Sequence, residues 1–279
     1  MLYLTAAVYV LSLLMSFLLP SGGRIYSFGL IVQFASLLIP ATIYMSISRE
    51  RLEGRMKIRL FSPAKIVLLL LFAVALFSFS ALYSALLPNG AASGILNGVK
   101  ENSEPTSLAV LCLAVLPAFS EELFFRGMLM GELEEHGTLT AVVLSSLMFA
   151  MYHPNLTNLP LYFFCGVMLS LCVYVTRSLL ASFCVHLCYN LAVLLGADKI
   201  NAFFSLSDNV GFAVLILILV FLICLILIFG ECQKTYVFYS EDNARSPREG
   251  GGSLSTLFVT LFSPASIVCI IVFIVSLLI

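Results

Sequence analysis

Charge is what this sequence has least of. Only 10% of its 279 residues are Asp, Glu, Lys or Arg, where a soluble domain keeps about a quarter. That scarcity excludes an ordinary soluble domain. With a hydrophobic fraction of 61% and a mean hydropathy of +1.08, it places the chain among polytopic membrane proteins. The formal net charge of −1 offers a nucleic acid nothing to bind. The first apolar run, MLYLTAAVYVLSLLMSFLLP, lacks a preceding basic segment and a small-residue cleavage site. It therefore reads as a retained membrane helix rather than a secretory signal. The eight Cys include no CxxC pair and lie mostly in apolar runs, where Cys behaves as a small hydrophobe. Neither a disulfide framework nor a cysteine metal site is expected.

What is present is a succession of apolar runs. A membrane helix takes about 20 such residues, and nine candidate spans follow: 2–19, 26–48, 64–87, 107–131, 138–153, 158–176, 178–195, 210–230 and 256–279. The expected fold is an all-α, polytopic transmembrane bundle of about eight to nine helices. Two long polar connections separate them, a Gly- and Asn-rich loop at 88–107 and a linker at 231–253 that ends in GGGS. The words LFSPAKIV (60–67) and LFSPASIV (261–268) both set Ser before Pro at the start of an apolar run, the same helix-capping solution used twice. The connection RERLEGRMKIR (49–59) holds five basic residues and marks the cytoplasmic side. Alternating spans then put the N-terminus inside. They collect Arg49, Arg51, Arg55, Lys57, Arg59, Lys65, Arg177, Lys234, Arg245 and Arg248 on that side, against Arg24, Lys100 and Lys199 outside.

Few ionisable or strongly polar groups fall inside the spans: Glu121, Glu122, Arg126, His153, His186 and Asn190. Such groups are costly in lipid and face a bundle interior or an aqueous cavity. His136, in the run GELEEHG, is expected in a solvated loop. Glu122 and Arg126 are four apart, on one helical face, with the acid first. Glu121 lies about 100° round the helix, free of that pair and available as a base or ligand. Pro117 lacks the N–H owed to the Leu113 carbonyl, so a kink is expected there. Phe149 and His153 share a second stripe that Pro154 should end, and His186 and Asn190 share a third. Each pair alone reads as readily as helix-to-helix adhesion. Three stripes converging on one cavity are what hydrolysis inside a membrane requires. Glu and His can activate water, His and Asn can donate to an oxyanion, and Glu with two His can hold zinc with an open position.

EELFFRG, FAMYH and HLCYN fit the patterns EExxxR, FxxxH and HxxxN in this order. In them the chain resembles the CPBP family of intramembrane proteases, also called Abi, which includes CAAX prenyl endopeptidases of the Ras-converting type and bacteriocin-processing and immunity proteins. The resemblance covers about residues 107–195. It implies that Glu121 activates water with His153, that Glu122 and Arg126 support it, and that His186 and Asn190 stabilise the oxyanion. The motifs leave open whether zinc sits on Glu121, His153 and His186 or the site works without metal. The implied substrate is a membrane-associated protein or peptide, prenylated or not, met in the lipid bilayer, and no nucleic acid is involved. The chain then divides into N-terminal spans (1–106), the catalytic core (107–195), one further span (196–230) and a linker with a last span (231–279). The competing readings are a non-catalytic immunity or scaffold protein and an ion-coupled transporter. The absence of a second copy of the motif cluster counts against the transporter.

Overall fold

In the computed structural model of the chain, residues 1–18, 25–52, 55–86, 105–206, 210–241 and 254–278 are described, and every apolar run becomes helix. In chain order these are α1 (Leu2–Leu18), α2 (Tyr26–Ile47), α3 (Pro63–Leu86), α4 (Thr106–His136), α5 (Thr138–Met151), α6 (Leu159–Thr176), α7 (Leu179–Leu206), α8 (Val210–Glu241), α9 (Leu254–Leu261) and α10 (Pro264–Leu278). No strand occurs among the described residues. The fold is an all-α bundle, and its run of long apolar helices makes the chain an integral membrane protein. Among the described residues, six helices (α2, α3, α4, α6, α7 and α8) are long and apolar enough to cross a membrane, or seven spans if α9 and α10 count as one.

The expected nine spans are therefore not all full spans. Helix α5 has 14 residues, about 21 Å at 1.5 Å per residue, against a hydrocarbon core of about 30 Å. It stops because Pro154, three residues beyond its end, cannot continue a helix. Helices α9 and α10 meet at 62°, and the bend falls at Ser263-Pro264, where Pro starts α10. The two LFSP words differ in detail. Ser263 Oγ accepts the Ser266 N–H at 3.4 Å, whereas the Ser62 side chain makes no cap because α3 opens on a tighter 3₁₀ turn. The expected linker is helical through Glu241 as a continuation of α8. Its remainder, 242–253, and nearly all of the expected 88–107 loop lie outside the described residues.

Alternate helices bring their polar ends to one face of the bundle. There the N-terminal amine lies 3.2 Å from Glu132 Oε2, Arg55 Nη2 lies 2.6 Å from Glu135 Oε1, and Lys57 pairs with Glu134. Lys65 and Lys234 share Glu231, at 3.4 and 2.7 Å. The run GELEEHG is helical rather than a loop as far as His136, which is solvent-exposed as expected. The run forms the last turns of α4, held by three ion pairs. Burial draws the Lys57 pKa below the usual lysine value, against the pull of Glu134.

The interior is packed by Phe72, Leu76, Phe124, Phe125, Met128, Leu144 and Met148, all buried. Helices α5 and α6 approach so closely that a Cβ on Gly166 would lie 2.8 Å from Ser146 Cβ and 2.9 Å from its Cα, the small-residue packing of membrane helices. Helix α8 turns Phe221 onto Phe79 and Phe164 and leaves Leu219, Ile223 and Ile226 exposed, as lipid-facing residues would be.

Candidate active site

Helix α4 carries the acids, and its backbone is irregular on both sides of them. Residues Leu111–Val115 and Glu122–Leu129 form wider π turns, a feature often found at functional sites. The first takes up the disturbance at Pro117. The Leu116 N–H bonds the Leu111 carbonyl, and α4 continues through Pro117 as one helix. Both acids end up buried, Glu121 3% exposed and Glu122 1%.

Glu122 is saturated. Its Oε1 accepts from Arg126 Nη1 at 2.8 Å and lies 2.9 Å from His186 Nδ1, and its Oε2 accepts from Ser182 Oγ. Arg126 Nη2 also reaches the Gly166 carbonyl at 3.4 Å, and its guanidinium lies 4.2 Å over the Phe149 ring. Removing one partner from a buried charge set of this kind costs about 3–5 kcal/mol, because the other charge is left uncompensated.

Glu121 differs on every count. It accepts no hydrogen bond among the described residues. Its Oε1 lies 3.9 Å from His153 Nε2 and its Oε2 4.0 Å from His186 Nε2. Both separations exceed a direct hydrogen bond and leave room for a water touching both groups. The structure thus gathers Glu121, His153 and His186 at one point from α4, the turn after α5, and α7. His153 lies just past its helix, with Nδ1 held 3.0 Å from the Phe149 carbonyl and the ring stacked on Tyr162 at 4.3 Å. His186 is oriented from behind. A neutral ring donating Nδ1–H to Glu122 presents a bare Nε2 to the cavity, and a protonated ring presents a donor there.

These groups line a cavity of about 460 Å³. Its walls are mainly apolar and aromatic, with Tyr152, Tyr162 and Tyr189 among them, the usual character of a ligand pocket. Asn190 is on the wall and makes no hydrogen bond among the described residues. Gln33 of α2 is there too, and its Oε1 is a buried acceptor without a partner among them. Sequence reasoning missed Ser182, Tyr162 and Gln33. Only Gln33 carried a signal, as an amide inside an apolar run.

Glu121, His153 and His186 supply one oxygen and two nitrogens, a donor set zinc uses. Among the described residues, however, no three His, Cys, Asp or Glu stand close enough together to hold a metal ion.

Residues 102–192, about a third of the chain, match the family model described as type II CAAX prenyl endopeptidase Rce1-like. The match spans all three motifs. No curated protein and no solved structure matches the chain.

Proposed function

We propose that the chain is an intramembrane endopeptidase that hydrolyses a peptide bond of a membrane-associated substrate with water activated by Glu121. The observation that carries this reading is the contrast between neighbouring acids. Glu122 has three partners, Arg126, His186 and Ser182, while Glu121 is buried without a hydrogen bond among the described residues, facing two imidazoles across a water's width. A buried carboxylate kept unsatisfied costs stability, and general-base work accounts for it.

In the proposed cycle a water between Glu121 and His153 gives its proton to Glu121 as it attacks the scissile carbonyl. His186, protonated and held at Nδ1 by Glu122, donates from Nε2 to the developing oxyanion, with the Asn190 amide beside it. Glu121 returns the proton to the leaving amine. Gln33 and Asn190 pair with the substrate main chain. Zinc would need Glu121, His153 and His186 to stand closer together than they do here, and held there it would lower the pKa of bound water. The steps here run through the side chains alone.

The family match favours a CAAX-type substrate. The cavity draws on residues remote from the basic end of the bundle, such as Ser80, Tyr152 and Asn190. With the basic end cytoplasmic, the cavity lies toward the opposite half of the bilayer, which counts against a substrate presented from the cytoplasm, as a CAAX protein is. An internally quenched peptide ending in a prenylated CAAX box, compared with its unprenylated twin, tests the class. Release from both by the wild type, lost with His153→Gln, supports the protease. Inertness toward both would favour a scaffold stabilised by the Glu122 cluster.

A further inference from the structure

The end of the bundle away from the cavity holds a second concave site, of about 370 Å³. Arg49, Lys57 and Arg59 form its polar side, and Met45, Leu52 and Met56 its apolar side. It lies where α2 ends, at Ile47, and just before α3 begins, at Pro63. That is the level at which two apolar spans give way to water.

Four of the basic residues of this connection divide into two groups. Arg55 and Lys57 are committed to Glu135 and Glu134. Arg49 and Arg59 are exposed, and no described carboxylate stands within ion-pair distance of either. The connection also contains Glu50 and Glu53, so its five basic residues leave it net positive. Beside the two guanidinium groups, Ile47, Ile58 and Leu60 are 80%, 68% and 86% exposed. Large apolar side chains this exposed, next to guanidinium groups with no ion pair among the described residues, call for an occupant with a negative head and a hydrocarbon tail. Guanidinium matches phosphate in both charge and hydrogen-bond geometry.

The geometry points to a binding site for the phosphate head group of an anionic phospholipid, with Arg49 and Arg59 on the phosphate and the Met45, Leu52 and Met56 side against the first carbons of the chains. Topology alone does not explain the arrangement. The positive-inside bias needs basic residues anywhere in the connection, not two of them set around a cavity.

The connection is also tied to the helix that carries Ser182, His186 and Asn190. The Leu179 N–H bonds the Lys57 carbonyl at 3.0 Å, and Ser178 Oγ donates to the Arg59 carbonyl. Arg55 packs on α4 so closely that a Cβ on Gly131 would lie 3.2 Å from its carbonyl oxygen. A lipid that fixes Arg59 therefore steadies the start of α7, and binding registers in the melting temperature.

The full chain in phosphatidylcholine nanodiscs is titrated with phosphatidylglycerol, and melting is followed with a thiol-reactive dye on its own Cys residues. A saturable rise of about 3 °C or more is expected. It should fall by at least half in Arg49→Gln/Arg59→Gln and persist in Arg245→Gln/Arg248→Gln, which removes the same charge from the linker. Arg49→Lys/Arg59→Lys keeps the charge for insertion and should weaken the apparent affinity at least threefold. Equal loss in both Gln pairs, or an unchanged Lys pair, overturns the site. Inorganic phosphate at millimolar concentration should give little of the shift, and an equal shift would overturn the lipid assignment in favour of free phosphate.

Discussion

Glu122 Oε1 lies 2.9 Å from His186 Nδ1, across 64 positions of chain. The contact joins the α4 ion pair to the imidazole of α7 and turns the other ring nitrogen toward Glu121, 4.0 Å away. One acid thus holds the histidine that the other acid faces.

Ser182 is the neutral member of that cluster. Ser182→Ala removes one donor from a buried carboxylate, a bond worth about 1.5–3 kcal/mol. A lower melting temperature is expected, with turnover reduced but not lost. A melting temperature equal to the wild type would mean that Ser182 does not bond Glu122 in the membrane.

Gly166→Ala should destabilise by more than a surface change would. Its methyl would meet Ser146 atoms at 2.8 and 2.9 Å, one of them Cα, and the Gly166 carbonyl accepts from Arg126. Gly166→Ala/Ser146→Gly should recover part of the loss, and both can be followed by thermal melting.

Gln33→Leu suits an apolar span and leaves the Glu121 surroundings intact. If Gln33 pairs with substrate main chain, KM should rise about tenfold, the worth of one such bond at about 1.4 kcal/mol, with kcat little changed. An N-methyl substrate lacking the paired N–H should then lose nothing further in the variant.

Prolonged chelation should leave turnover in place, since the proposed steps use Glu121 and the imidazoles. Loss of activity restored by zinc would move the water onto a metal held by Glu121, His153 and His186.

The Glu122–Arg126 pair is legible from spacing alone, because residues four apart share a face whether the turn is α or π. The same periodicity sets Glu121 apart from Arg126 and puts Phe149 with His153. What spacing cannot reach is contact between helices. Nothing in HLCYN shows that His186 meets Glu122, and Ser182 and Tyr162 are unmarked residues whose roles depend on which helix lies opposite. Helix ends were misjudged for a related reason. Hydropathy marks where a segment is apolar, whereas α4 runs on through Glu132, Glu134 and Glu135, which pair with the N-terminal amine, Lys57 and Arg55, and α8 runs on past Glu231, which pairs with Lys65.

The central claim, that adjacent acids hold opposite roles, is tested most directly by measuring peptide cleavage and melting temperature together for Glu121→Gln and Glu122→Gln. Glu121→Gln should abolish cleavage, by a hundredfold or more at about the worth of a general base, while melting no lower than the wild type. Glu122→Gln should lower the melting temperature markedly, because it strands Arg126 in the interior. Retained cleavage in Glu121→Gln, or an unchanged melting temperature in Glu122→Gln, would contradict it.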